Sequence, residues 1–157
     1  MKFTALIGQM QSGKTTASIQ LYNELLQRED CLPIFATHPT NNVYQDWARK
    51  AAHLDGTILN PRDDRKLYNS LVDALLMSGE FPQQTGIAGL NNAPFHRRLA
   101  PLLLHYHGTK HIIVDEYDQN QIGMDMNDHW VQVKRDYMLR SYDVADVLDE
   151  MTLLSAT

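Results

Sequence analysis

The chain has 157 residues, 43% hydrophobic and 21% charged, a composition that suits one domain with a proper core and carries no sign of disorder. Its formal net charge of −5 excludes a surface coated with basic patches, although a local groove with a few donors can still hold a nucleic-acid backbone. A single cysteine, Cys31, excludes an intramolecular disulfide, and no apolar run approaches the ~20 residues a membrane span needs, so the expected compartment is the cytoplasm with no membrane partner.

Taken in chain order, Lys2–Ile7 is a short apolar run with aromatic and β-branched residues and reads as a buried strand. Gly8-Gln9-Met10-Gln11-Ser12-Gly13-Lys14-Thr15 then matches G-x-x-x-x-G-K-[ST] at every fixed position, with Thr16 next. A helical pattern runs from Lys14 to Gln27 with Ala17, Leu21, Leu25 and their neighbours on one face. Residues 32–37 are a second buried strand, and strand, helix, strand of this kind implies a right-handed crossover and a parallel sheet. Residues 42–53 read as a helix with Val43, Trp47 and Ala51 as its stripe. Thr57–Leu59 is a weak strand closed by Asn60-Pro61, and residues 62–78 a helix with Leu67, Leu71, Leu75 and Leu76 inward.

Thr85–Leu90 is a short glycine-containing strand. Residues 92–107 are helical with Leu99, Leu102 and Leu103 buried; Pro94 is tolerated in the first turn, and Pro101 is expected to kink or divide the helix. Residues 111–114 form a strongly apolar strand, 119–128 a polar loop, 130–139 and 141–150 two helices, and 152–156 a final strand. Seven histidines raise the question of metal, but no Cys/His pair stands at zinc spacing. The expected fold class is α/β with a central, mainly parallel sheet.

Two stretches carry chemistry. A strand, a glycine loop and a helix in that order form a phosphate site. Gly8 and Gly13 allow a tight turn that aims successive N–H groups at phosphate oxygens, and the positive end of the new helix adds to that field. Lys14 would reach the β- and γ-phosphates and the Thr15 hydroxyl would sit on Mg²⁺, so ATP and Mg²⁺ are the expected ligands. The bland alternative, a Gly-Ser turn with an exposed lysine, does not explain the flanking strand and helix. About a hundred residues on, the strand at 111–114 delivers Asp115 and Glu116 at its carboxyl end, where open α/β sheets bind their ligands. Asp115 would hold Mg²⁺ directly or through water, and Glu116 would orient and deprotonate an attacking water. The alternative is an acidic strand end that caps the next turn.

These residues carry a resemblance. Asp115-Glu116-Tyr117-Asp118 resembles the DExD box of superfamily 2 helicases and translocases, and Ser155-Ala156-Thr157 resembles their Ser-Ala-Thr motif. Pro39-Thr40 with Gln45 and Trp47 is similar to the Pro-Thr and Gln-x-Trp signature that follows the family's second strand. The motifs stand in family order from Leu6 to Thr157. The resemblance implies a three-layer RecA-like P-loop NTPase fold and an ATPase that moves on DNA or RNA. It implies that Asp118, Ser155 and Thr157 couple nucleotide state to domain movement. It also implies that Thr40, Asn41 and Asn42 touch a nucleic-acid backbone, although Thr and Asn are equally apt as helix caps. Asn91 and Asn92 stand where the family has another backbone-contacting loop, but they depart from its Thr-Pro-Gly-like version.

The family works with two RecA-like lobes, the second of which supplies an arginine finger and half of the track. This chain is therefore expected to be the first lobe, with its partner lobe in cis or in trans. With seven residues before Gly8, the adenine-reading glutamine motif of DEAD-box proteins is not expected, which leaves base selectivity open. Two other readings compete. The loop also resembles that of thymidine-kinase-like P-loop kinases, which share a zinc-binding lasso that one cysteine cannot build. A nucleotide-dependent switch or packaging subunit is the other. Arg62, Arg65, Lys66, Arg97, Arg98, Lys134 and Arg135 are basic positions available to line a track, or simply solvated helix faces.

Overall fold

Every side chain of strand β2 (Cys31–Thr37) is buried, and the burial divides by parity. Leu32, Ile34 and Ala36 enter one apolar cluster while Cys31 and Phe35 enter another, as the two-residue period of a strand covered on both faces requires. A computed structural model describes residues 2–7, 14–37, 40–115 and 148–155, and β2 lies in the middle of its sheet.

Around it stand β1 (Lys2–Ile7), β3 (Thr57–Leu59), β4 (Thr85–Leu90), β5 (Thr109–Val114) and β6 (Glu150–Ser155). Their order across the sheet is β1-β6-β5-β2-β4-β3, and every neighbouring pair is parallel. The helices are α1 (Lys14–Gln27), α2 (Asn41–Ala51), α3 (Arg65–Ser78) and α4 (Ala93–His105). The chain moves one way across the sheet from β1 to β2 to β3 and then turns back through β4 to β5. Right-handed crossovers must therefore put the first two helices on one face and the next two on the other. The core obeys. Tyr22, Leu25, Leu26, Trp47 and Ala51 of α1 and α2 pack with Phe35, Ala88 and Ile113. Tyr68, Val72, Leu75, Leu99, Leu102 and Leu103 of α3 and α4 pack with Ile34, Ile87 and Ile112. This is the expected three-layer α/β architecture with a parallel sheet.

Two helices are rotated from the expected face. In α1, Ala17 is exposed and Leu21 half-buried, while Ser18, Tyr22, Leu25 and Leu26 point inward. Tyr22 sets this rotation: its hydroxyl donates to the Ile87 carbonyl at 3.1 Å, and its ring lies over Gly86, where a Cβ would come within 2.2 Å of the hydroxyl. Tyr22 also meets Trp47 edge-on at 5.1 Å, and Trp47 stacks on Phe35 at 4.2 Å. In α3, Leu67 and Leu76 are half-exposed, and the inward stripe is Tyr68, Val72 and Leu75. Here again a tyrosine decides, since the Tyr68 hydroxyl donates to the Arg98 carbonyl at 2.6 Å.

Other boundaries differ by small amounts. Residues 60–64 precede α3 as a turn in which Asn60 Oδ1 accepts from Arg62 N at 2.9 Å and Asp64 accepts from Asn60 N at 2.9 Å. Helix α4 runs through Pro101 undivided, with the proline on its exposed side, and Leu99, Leu102 and Leu103 are buried as expected. Leu148 and Asp149 lead straight into β6, so the helix expected over 141–150 does not reach its stated end. The loop at 119–128, the helix at 130–139 and most of 141–150 lie outside the described residues. Among the described residues, no helix is long and apolar enough to cross a membrane.

Candidate functional site at the carboxyl edge of the sheet

Because all six strands are parallel, their carboxyl ends share one edge. The expected site residues follow five of those ends, and the strand order sorts them into two groups. On one side stand the ends of β1, β6 and β5. Ile7 pairs with Ser155 and Val114 is level with Leu153, so the end of β6 lies between the strand leading to Gly8 and the strand leading to Asp115. Two interstrand spacings separate β1 from β5, about 10 Å.

Helix α1 opens at Lys14, seven residues after Ile7, with no acidic side chain in its first turn. Thr15 and Thr16 are exposed there, and Ser18 Oγ donates to the Thr15 carbonyl at 2.7 Å. Asp115 is half-buried just past β5, its N–H donating to the Ala36 carbonyl at 2.9 Å, which ties the end of β5 to β2. Gly8, Gln9, Met10, Gln11, Ser12, Gly13, Glu116, Asp118 and Thr157 lie outside the described residues. An anion fits the bare first turn of α1, and the exposed Thr15 hydroxyl and Asp115 carboxylate are hard oxygen donors of the kind Mg²⁺ takes beside phosphates. Among the described residues, no three His, Cys, Asp or Glu side chains converge as a metal set.

The second group follows β2 and β4, beside the end of β3. Thr40 takes the extended N-cap backbone of α2 (φ −128°, ψ 139°), but its hydroxyl makes no cap bond, and Thr40, Asn41 and Asn42 are exposed. Asn92 caps α4 with its side chain, Oδ1 accepting from Phe95 N at 3.0 Å. Asn91 is 3% exposed and points inward, its Oδ1 lying 2.8 Å from His96 Nε2.

Beside Asn92 is a cavity of about 210 Å³ lined by Asn60, Arg62, Leu90, Asn92, Phe95 and Arg98. Its walls are fixed locally. Asn60 is buried and held in the turn after β3, and Arg62 lies against Asp63 at 2.9 Å. That carboxylate holds the Arg62 guanidinium above its usual range. Arg62 and Arg98, 36 positions apart in the chain, are thus brought to one groove; Arg65, Lys66 and Arg97 do not line it. Sequence reasoning missed Asn60 as part of this site, and it missed His96, which is not part of the cavity lining but bonds Asn91 behind it. The signal for the first was the run Asn60-Pro61-Arg62-Asp63-Asp64, a side-chain-bonded turn directly after a strand. No local signal marks the second. Neither protein-family models nor curated proteins give a match to this chain.

Proposed function

We propose that this chain is the ATP-binding lobe of a nucleic-acid-dependent ATPase of the superfamily 2 helicase or translocase type, coupling hydrolysis of Mg·ATP to movement on DNA or RNA. The observation that carries the reading is the order β1-β6-β5 at one end of a parallel sheet. It leaves about two strand spacings between the end of β1, which leads to the glycine loop, and the end of β5, which leads to Asp115, room for a triphosphate gripped from one side and a metal held from the other. Ser155, the residue expected to sense the nucleotide, ends the strand between them.

In this reading Lys14 sets a fixed positive charge against the γ-phosphate, and backbone N–H groups from Gln9 to Thr16 cradle the rest. Thr15 and Asp115 hold the metal, and Mg²⁺, when bound, neutralises charge on the phosphate oxygens. The Glu116 carboxylate orients the attacking water and accepts its proton. Thr40, Asn41 and Asn42 together with the groove of Asn60, Arg62, Asn92 and Arg98 offer donors suited to phosphodiester oxygens, a contact that positions a strand without reading its sequence. A second RecA-like lobe, in cis or in trans, closes the site and supplies an arginine.

The test is phosphate release from Mg·ATP with and without single- and double-stranded DNA and RNA, using this chain and the longest product its gene encodes. Lys14→Ala and Glu116→Gln are each expected to lower turnover by at least ~10²-fold, on the scale of removing one group that stabilises transition-state charge. Glu116→Gln should still bind ATP. Turnover driven by a nucleoside and indifferent to nucleic acid would replace this reading with a kinase.

A further inference from the structure

One strand of nucleic acid can touch the loops after β2 and β4 together only if the two loops keep a fixed separation. Two hydrogen bonds join the ends of those strands, and a third ties the loop after β4 to α4. Asn91 N donates to the Thr37 carbonyl at 2.9 Å, Thr37 Oγ1 donates to the Gly89 carbonyl at 3.3 Å, and His96 Nε2 lies 2.8 Å from Asn91 Oδ1. An amide oxygen only accepts, so Nε2 carries the ring proton and donates it. Thr37, Asn91 and His96 are 0%, 3% and 2% exposed. Burial pushes His96 down to about 3, so the ring remains a neutral donor at any working pH.

We propose that His96 is a positioning residue for the nucleic-acid track: through Asn91 it sets the loop after β4 against the end of β2, and so the spacing between Asn92 with Arg98 and Thr40 with Asn42. The geometry has a consistent direction. His96 stands one turn into α4, the helix that Asn92 caps and that carries Arg98. Its bond therefore fixes the start of that helix relative to a residue at the end of β4. Thr37, the last residue of β2, is held to that end through Asn91 N and Gly89, and Thr40 follows three positions later. A leucine at position 96 would fill similar space but leave the buried Asn91 Oδ1 without this donor, so the imidazole serves its bond and not packing alone. What the loops touch rests on the function proposed above; the linkage between them does not.

Two readouts on the wild-type chain, His96→Leu and His96→Gln test this. The first is hydrogen exchange without ligand; the second is ATP turnover as a function of single-stranded DNA or RNA concentration. In His96→Leu, exchange should quicken about tenfold at residues 40–44 and 91–95 and stay at the wild-type rate in α3, the scale of one lost buried hydrogen bond. The nucleic-acid concentration for half-maximal stimulation should rise by a similar factor, about tenfold, with turnover in its absence within about twofold. His96→Gln, which keeps an amide donor, should recover part of both. Unchanged exchange in the two loops, or loosening spread equally over α3, would overturn the proposal and make His96 a packing residue. A wild-type chain that no nucleic acid stimulates overturns the track, and the exchange data then decide separately whether the linkage exists.

Discussion

His96 is buried and neutral for a local reason: burial on the inner face of α4 disfavours a charged ring, and Asn91 offers it a neutral acceptor. This has a consequence for stability. The unfolded chain takes up a proton on this ring as pH falls through 6.5, whereas the folded chain refuses it until about pH 3. Between those values the unfolded state binds more protons, so stability rises with pH and is lost on acidification. The full effect is on the order of a few kcal/mol. Urea midpoints measured from pH 7 to pH 4.5 should fall more steeply for wild type than for His96→Leu. Equal slopes would show that the ring is protonated in the folded chain well above pH 3.

The rotation of α3 is a finding at the scale of the element. Leucines at positions 67, 71, 75 and 76 suggest one apolar face, but the sheet receives Tyr68, Val72 and Leu75. Leu67→Lys should therefore change stability by no more than about 0.5 kcal/mol, whereas Leu75→Ala should cost about 2–5 kcal/mol by opening a cavity in the core. Chemical denaturation of the two variants checks this, and a large loss in Leu67→Lys would restore the leucine face. The reason is that a tyrosine can be buried when its hydroxyl finds a carbonyl, and Tyr68 and Tyr22 both do. Periodicity counts apolar residues and has no means of knowing where such a carbonyl will be. In α4 the buried polar anchor, His96, falls on the same face as the leucines, and at Leu99, Leu102 and Leu103 the expected and observed faces agree.

For the whole molecule, the sheet order joins segments that are far apart in the chain. β6 pairs with β1 across some 150 positions and with β5 across about 40. His111 stitches the second seam, its ring nitrogens lying 3.1 Å from Glu150 and 2.8 Å from Thr152. A ligand bridging the ends of β1 and β5 would bind the folded sheet and not the unfolded chain. A non-hydrolysable ATP analogue with Mg²⁺ at a hundred times its Kd should add about 2.7 kcal/mol of stability. That is a rise in Tm of roughly 5–10 °C for a domain of this size. Lys14→Ala should abolish the rise at the same ligand concentration, and an equal rise in that variant would place the ligand elsewhere.

Much of this architecture was legible in the chain itself. β1, β3, β4 and α1 stand where apolar runs, glycines and turn residues place them, because strand and helix periods and turn chemistry act over a few neighbouring residues. The motif order also set which residues follow which strand. The sequence misplaced part of the side on which α1 and α3 turn inward, and it left open the insertion of β6 between β1 and β5. It left open as well the groove uniting Arg62 with Arg98, and the split in which Asn91 goes to His96 and Asn92 to a helix cap. These depend on which surfaces meet, and the partners that decide them lie tens of residues apart, beyond the reach of any local signal.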